Sequence, residues 1–187
     1  MLKLSLGCGP RDFGSGWDHI DGGNYKHLKS KDIVSLPYAD DSVDVIYSSH
    51  TLEYFDREEV KRVLFEWKRV LKQGGKLYLS VPDFGKMASL YLEGIPLHKF
   101  LGPLFGKMGM GSETIYHKTV YDYASLGELL KFMGFSRIEP WEPFEFQGEH
   151  IHGVDMVMGV NPVSLIDDHS QAQINGEFIS LNLVCQK

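Results

Sequence analysis

Lys3-Leu4-Ser5-Leu6-Gly7-Cys8-Gly9-Pro10, with Asp21 a short way beyond, is the stretch from which the fold is read. A short apolar alternation that runs straight into Gly-x-Gly has the form of a buried first strand. Its carboxyl end opens into a turn without side-chain bulk, which lets backbone approach a ligand closely. In an open parallel sheet the crevice outside the strand ends is where ligands bind. Trp17-Asp18-His19-Ile20-Asp21 then reads as a second strand ending in a carboxylate, placed to accept hydrogen bonds from both hydroxyls of a ribose. Two glycines and one acid at neighbouring strand tips point to a nucleoside site, although a bare Gly-x-Gly also serves in ordinary tight turns.

Working outward, the connection from Gly9 to Trp17 is too brief for a full crossover helix. Asp32-Ile33-Val34 reads as a third strand, and Val43 to Ser48 as a central one, β-branched and almost continuously apolar. The clearest helix runs from Asp56 to about Lys72. Asp56 and Glu59 have capping-box spacing, Val60, Val63, Leu64, Trp67, Val70 and Leu71 recur on one face, and Gly74-Gly75 form the stop. Lys76 to Val81 is a fifth strand ended by Pro82. Between Phe84 and Thr119 the periodicity degrades into a Gly-, Pro- and Met-rich run after a short helical piece at Met87–Leu92, a length of loop that usually carries function. A second capping box, Ser125 to Glu128, leads a helix that stops at Gly134. The tail offers strands at Ser136–Ile138, Met156–Val160 and Phe178–Val184, which would close the sheet antiparallel.

The 187 residues, 43% of them apolar, suffice for one core that buries roughly 70% of the unfolded surface, so a single domain over 1–187 is expected. No apolar run approaches the ~20 residues of a membrane span and no charged-then-apolar leader is visible, so the expected location is cytoplasmic. Cys8 and Cys185 have no partners at framework or metal spacing. The net charge of −6, with cations interleaved among acids, disfavours nucleic acid. The expected partner is a small-molecule substrate and, at most, a second copy of the chain in a homodimer.

Several segments in order resemble class I S-adenosylmethionine-dependent methyltransferases, in particular the type 11 domain. Leu6-Gly7-Cys8-Gly9 is similar to the first motif of that family and Asp21 to the acid closing its second strand. Asp32-Ile33-Val34-Ser35-Leu36-Pro37-Tyr38 is similar to its adenine-bordering D-x-x-x-L-P-F segment. Ser42 to Tyr54 resembles its fourth motif, and Val70-Leu71-Lys72-Gln73-Gly74-Gly75 its V-L-K-P-G-G corner. The resemblance implies a Rossmann-like, doubly wound, mostly parallel seven-stranded α/β sheet with an antiparallel last strand. It also implies S-adenosyl-L-methionine as cofactor, with a binding set of Gly7, Cys8, Gly9, Asp21, Asp32, Ile33 and Ser48. The chain departs from the family at Ser5, where an acid is usual, at Arg11, where a third glycine is usual, and at Tyr54, where a histidine is usual.

Methyl transfer is an in-line displacement in which alignment supplies most of the rate, so no protein nucleophile is required. A hydroxyl acceptor needs a base and a carboxylate acceptor does not. His50, just past the fourth strand, and His117, between Tyr116 and Lys118, are the catalytic candidates, set against the commoner structural role of a lone histidine. Glu149-His150-Ile151-His152 lacks a third ligand at a recognisable spacing, so no metal is expected. The run Lys107 to Met110 reads as adaptable loop, or as a lid. Two other functions compete. A nicotinamide oxidoreductase is disfavoured because Asp12 stands where the dinucleotide fingerprint needs glycine. A non-catalytic nucleoside-binding module of the same fold is compatible with Ser5 and Arg11.

Overall fold

The computed structural model describes residues 1–110, 112–141 and 172–187. Strands β1 (Lys3–Leu6), β2 (Trp17–Ile20), β3 (Leu28–Ser30) and β4 (Val43–Ser49) come first, followed by helix α1 (Glu59–Val70) and strand β5 (Leu71–Pro82). Then come α2 (Phe84–Leu92), α3 (Leu101–Phe105), the hairpin β6 (Met108–Met110) and β7 (Glu113–Ile115), α4 (Tyr123–Phe132) and β8 (Ser136–Pro140). A two-stranded ribbon, β9 (Gln173–Ile174) and β10 (Glu177–Phe178), precedes β11 (Ser180–Gln186). Seven strands form one sheet in the order β3-β2-β1-β4-β5-β11-β8. The first five are parallel, and β11 runs antiparallel to both β5 and β8. The expected seven-stranded, mostly parallel sheet with an antiparallel last strand is therefore observed.

Alternation along the strands sorts the core into two layers. Leu4, Leu6, Ile46, Leu77, Leu79, Leu181 and Leu183 share one face with Val60, Val63, Leu64, Trp67 and Val70 of α1 and Leu126 and Leu130 of α4. Trp67 is fully buried and its indole N–H donates to Ile33 O at 2.8 Å, so this side chain joins helix, sheet and the loop after β3. On the opposite face, Trp17, Tyr47 and Tyr78 meet Phe13 and Trp141 edge-to-face, with ring centroids 5.4 to 5.9 Å apart. Aromatic rings supply much of the area there in a few residues, and edge-to-face pairs add about 0.5–1.5 kcal/mol each beyond it.

Several boundaries differ from expectation. The third strand is Leu28–Ser30, inside a stretch that reads as connection. Asp32–Val34 is a turn because the Asp32 carboxylate accepts the N–H groups of Val34 (2.8 Å) and Ser35 (3.0 Å), competing with the ladder. Helix α1 ends at Val70, before the glycines, because Leu71 is extended and pairs with Val43. Gly74 and Gly75 fall within β5, where the register with β4 shifts. The capping box of the last helix is Asp122 with Ser125, one turn earlier than expected, leaving Ser125 at N3. Segment 84–119 holds α2, the expected helical piece at Met87–Leu92 begun earlier at Phe84, together with α3 and a hairpin, which pattern reading misses because both are shorter than the window that reveals a period. The expected strand Met156–Val160 lies outside the described residues. Among those described, no helix is long and apolar enough to cross a membrane.

Trp67→Ala removes a fully buried side chain together with its hydrogen bond to Ile33. A loss of about 3–5 kcal/mol of unfolding free energy is expected by urea denaturation, and a loss below about 1 kcal/mol would show that α1 is not seated as described.

Candidate functional site

Register builds the site. Leu6 pairs with Ile20, so Gly7 and Asp21 leave the sheet side by side, and β4 continues past them to deliver Ser49 and His50 to the same edge. Gly7 and Gly9 have φ of +71° and +58°, values that glycine adopts without strain. A methyl at Gly7 would run into the Thr51 side chain, whereas nothing lies within 4 Å of the same position at Gly9. The open side of the turn thus faces the crevice. The Asp21 carboxylate is buried and holds the turn in place. Its Oδ2 accepts Gly9 N–H at 2.8 Å and its Oδ1 accepts Gly23 N–H at 2.7 Å.

These tips open on a cavity of about 790 Å³, within the roughly 300–1,000 Å³ of small-molecule sites. Of the expected residues, Gly7, Gly9, Asp21, Asp32, Ile33, His50 and His117 all line it. Cys8 and Ser48 do not. The Ser48 hydroxyl points between strands and donates to Leu6 O at 3.0 Å, and the neighbouring Ser49 lines the cavity in its place. Cys8 is turned inward, and burial, with the Asp21 charge adding to it, pushes the thiol up to about 12, which keeps it protonated. Asp44 sits at the far end of β4, where it accepts Leu2 N–H at 2.6 Å.

The wall opposite the glycine turn comes from the segment after β5. Met108, Met110 and Ile115 of the β6–β7 hairpin line the cavity, and Met110 packs against Gly22, beside Asp21. His117 is fixed by an Nδ1 contact of 3.0 Å with Pro103 O and by the edge of the Tyr54 ring, centroids 4.6 Å apart. His50 has φ of +50°, an uncommon conformation for a side-chain-bearing residue, and its Nε2 lies 3.1 Å from Ser180 Oγ. Sequence reasoning passed over Glu53. Its carboxylate is fully buried between the two imidazoles, 3.3 Å from His50 Nδ1 and 3.9 Å from His117 Nε2. The available signal was an acid three residues after His50, inside the otherwise apolar Leu52–Tyr54 turn. Among the described residues no group of three such side chains is arranged to hold a metal ion, and Glu149–His152 lies outside them.

Comparison with known proteins gives a concordant picture. The family model described as "Methyltransferase domain" matches residues 19–79. That stretch, about a third of the chain, is thus similar to a methyltransferase domain. A solved S-adenosylmethionine-dependent methyltransferase from Methanosarcina mazei is 19% identical, with 99% of this chain and 91% of that one covered at a TM-score of 0.54. One from Archaeoglobus fulgidus is 16% identical, covering 99% and 85% at 0.53. The Burkholderia thailandensis 1,6-didemethyltoxoflavin-N1-methyltransferase, solved with 1,6-didemethyltoxoflavin and S-adenosylhomocysteine, is 10% identical, covering 100% and 70% at 0.56. At these identities the likeness is one of fold. No curated protein matches in sequence.

Two measurements test the geometry of the site. Gly9→Ala is expected to cost about 1–2 kcal/mol in urea denaturation for its left-handed backbone alone, and Gly7→Ala distinctly more because Thr51 must also move. Equal costs would show that Thr51 does not underlie the turn. Burial holds His19 and His117 below the ordinary histidine range, against the opposing pull of Asp12 and Glu53 respectively. The unfolded chain therefore binds more protons below about pH 6.5, and stability falls as pH drops from there through the lower folded values. The urea midpoint is expected to decrease between about pH 7.5 and about pH 5.5, and His19→Gln to flatten that decrease. A pH-independent midpoint over that window would contradict it.

Proposed function

We propose that this domain transfers the methyl group of S-adenosylmethionine to a small molecule held beneath the 84–119 segment. The observation that carries the proposal is the convergence of the open glycine turn, the buried Asp21 carboxylate and Ile33 on one cavity with His50 and His117. The residues fit the cofactor. A methyl is absent at Gly9 where backbone can approach a ligand, and each Asp21 oxygen accepts one backbone N–H, leaving lone pairs for ribose hydroxyls. Ile33 offers an apolar surface for adenine, and Asp32, anchored by Val34 and Ser35 N–H groups, an acceptor for its amine. The bound cofactor supplies an electrophilic methyl on a sulfonium, so the protein's part is to align an acceptor and exclude water.

The substrate side is apolar, formed by Met108, Met110 and Ile115, with Lys107 and Lys118 at the same wall. Contact between Met110 and Gly22 makes the hairpin the lid of the crevice, resting on the loop that follows the ribose acid. Lysine charges near apolar walls favour a flat or partly anionic metabolite over a polymer, since the cations are too few for a phosphate backbone. His50 and His117, which line the same cavity, support a role for an imidazole in managing a proton during transfer.

Asp21→Ala is expected to weaken S-adenosylhomocysteine binding by about 1–3 kcal/mol, roughly 5- to 150-fold, in titration calorimetry. Unchanged affinity in a folded variant would remove the acid from the cofactor site.

A further inference from the structure

Glu53 presents a physical problem that the proposed function leaves open. Its side chain is fully buried, and among the described residues neither carboxylate oxygen accepts a hydrogen bond. Leaving such a group uncompensated costs several kcal/mol, so a native structure retains it for a reason. Four titratable groups face it: His50 from the end of β4, Tyr54 from its own turn, His117 from the segment after β7, and Tyr121 before α4. Both phenols are held above their ordinary range by burial first and by the Glu53 charge second, which keeps them neutral.

The two imidazoles are not equivalent. His117 Nδ1 is 3.0 Å from Pro103 O, a contact that requires the proton on that nitrogen and leaves a lone pair on Nε2. That lone pair faces Glu53 Oε1 at 3.9 Å, and burial disfavours a second proton on the ring. His117 therefore cannot answer the carboxylate. His50 can. Its Nδ1 lies 3.3 Å from Oε1, so a proton on Nδ1 is the one nearer the negative charge, and the lone pair passes to Nε2, 3.1 Å from Ser180 Oγ.

Resting on the methyltransferase reading above, we propose that Glu53 is a positioning residue that holds His50 in its Nδ1–H tautomer, making Nε2 the base that takes the acceptor's proton. The acceptor is then a hydroxyl or N–H group. As the acceptor atom's electron pair forms the new bond to the methyl carbon, the carbon–sulfur pair leaves with sulfur and the acceptor's proton passes to Nε2. The Ser180 hydroxyl, able both to donate and to accept, donates to Nε2 beforehand and accepts from Nε2–H afterwards. A carboxylate fixing the tautomer of a basic imidazole follows the logic of hydrolytic triads. The left-handed backbone of His50, with φ of +50°, is a conformation that surroundings must over-determine, as functional sites do.

The test uses full-length protein with 15N-labelled histidine and reads, from two-bond nitrogen–proton couplings at mildly alkaline pH, which ring nitrogen of His50 carries the proton. The Nδ1–H form is expected in the wild type and in Glu53→Gln, whose amide oxygen can still face Nδ1. The Nε2–H form is expected to take over in Glu53→Leu. A wild-type His50 in the Nε2–H form overturns the proposal without need of any variant, and so does a Glu53→Leu spectrum unchanged from wild type. Methylation of a carboxylate acceptor at the same rate by wild type and Glu53→Gln overturns it as well. Calorimetry with S-adenosylhomocysteine, run in parallel, separates the two readings: lack of binding by the wild type sinks the methyltransferase reading, while the tautomer still reports on Glu53 and His50 alone.

Discussion

Two backbone N–H groups from different loops, those of Gly9 and Gly23, end on the one carboxylate of Asp21. That sharing is the constraint on which the ligand end of the molecule depends. No helix follows the turn after β1 directly and its glycines contribute no side-chain packing, so the carboxylate acts beside backbone bonds such as Gly7 N–H to Ile20 O at 2.8 Å. Hydrogen bonds to a charged acceptor are worth about 1.5–3 kcal/mol each, more than neutral ones, which suits a short loop that must keep one shape. The cost is that the acid is partly committed before any ligand arrives, so whatever occupies the cavity uses lone pairs the backbone has left over.

The same economy marks the sheet's other face. Parallel strands are covered on both sides, usually by crossover helices. Here β1 connects to β2, and β2 to β3, through segments too short for one. Phe13, from the first connection, and Trp141, after β8, pack on Trp17, Tyr47 and Tyr78. His19 belongs to this arrangement too, its Nε2 accepting Phe13 N–H at 2.8 Å. Large rings thus replace the area a helix would supply.

Legibility in the sequence followed length and regularity. The first strand, the central strand, the periodicity of α1 and the antiparallel tail were readable because each is a run of several residues with one dominant pattern. Strand β3, three residues long, was not, because the β-branched Ile33-Val34 pair competes for the assignment and only the Asp32 side chain decides against it. At the site, glycines and acids at strand tips were visible as motifs. Ser48 was misplaced by one residue for a reason intrinsic to strands. Successive side chains point to opposite faces, and a motif does not say which one looks into the crevice. Glu53 was hidden differently: a charged residue in an apolar turn reads as a solvated exception until burial shows otherwise.

That burial explains how two halves of the site come to meet. The Glu53 carbonyl accepts Lys118 N–H at 2.7 Å and Thr119 N–H at 3.2 Å, and Lys118 Nζ reaches Glu59 Oε2 at 2.8 Å. Tyr54 contributes its ring to His117. The turn that follows β4 is therefore a socket for residues 117–119, and through them for the hairpin that carries Met108 and Met110. The main chain of Glu53 seats residues 117–119, while its side chain lies between His50 and His117. One short turn thus carries both the seat of the segment that walls the cavity and the carboxylate between the two imidazoles that line it, so the relative placement of those groups is set locally.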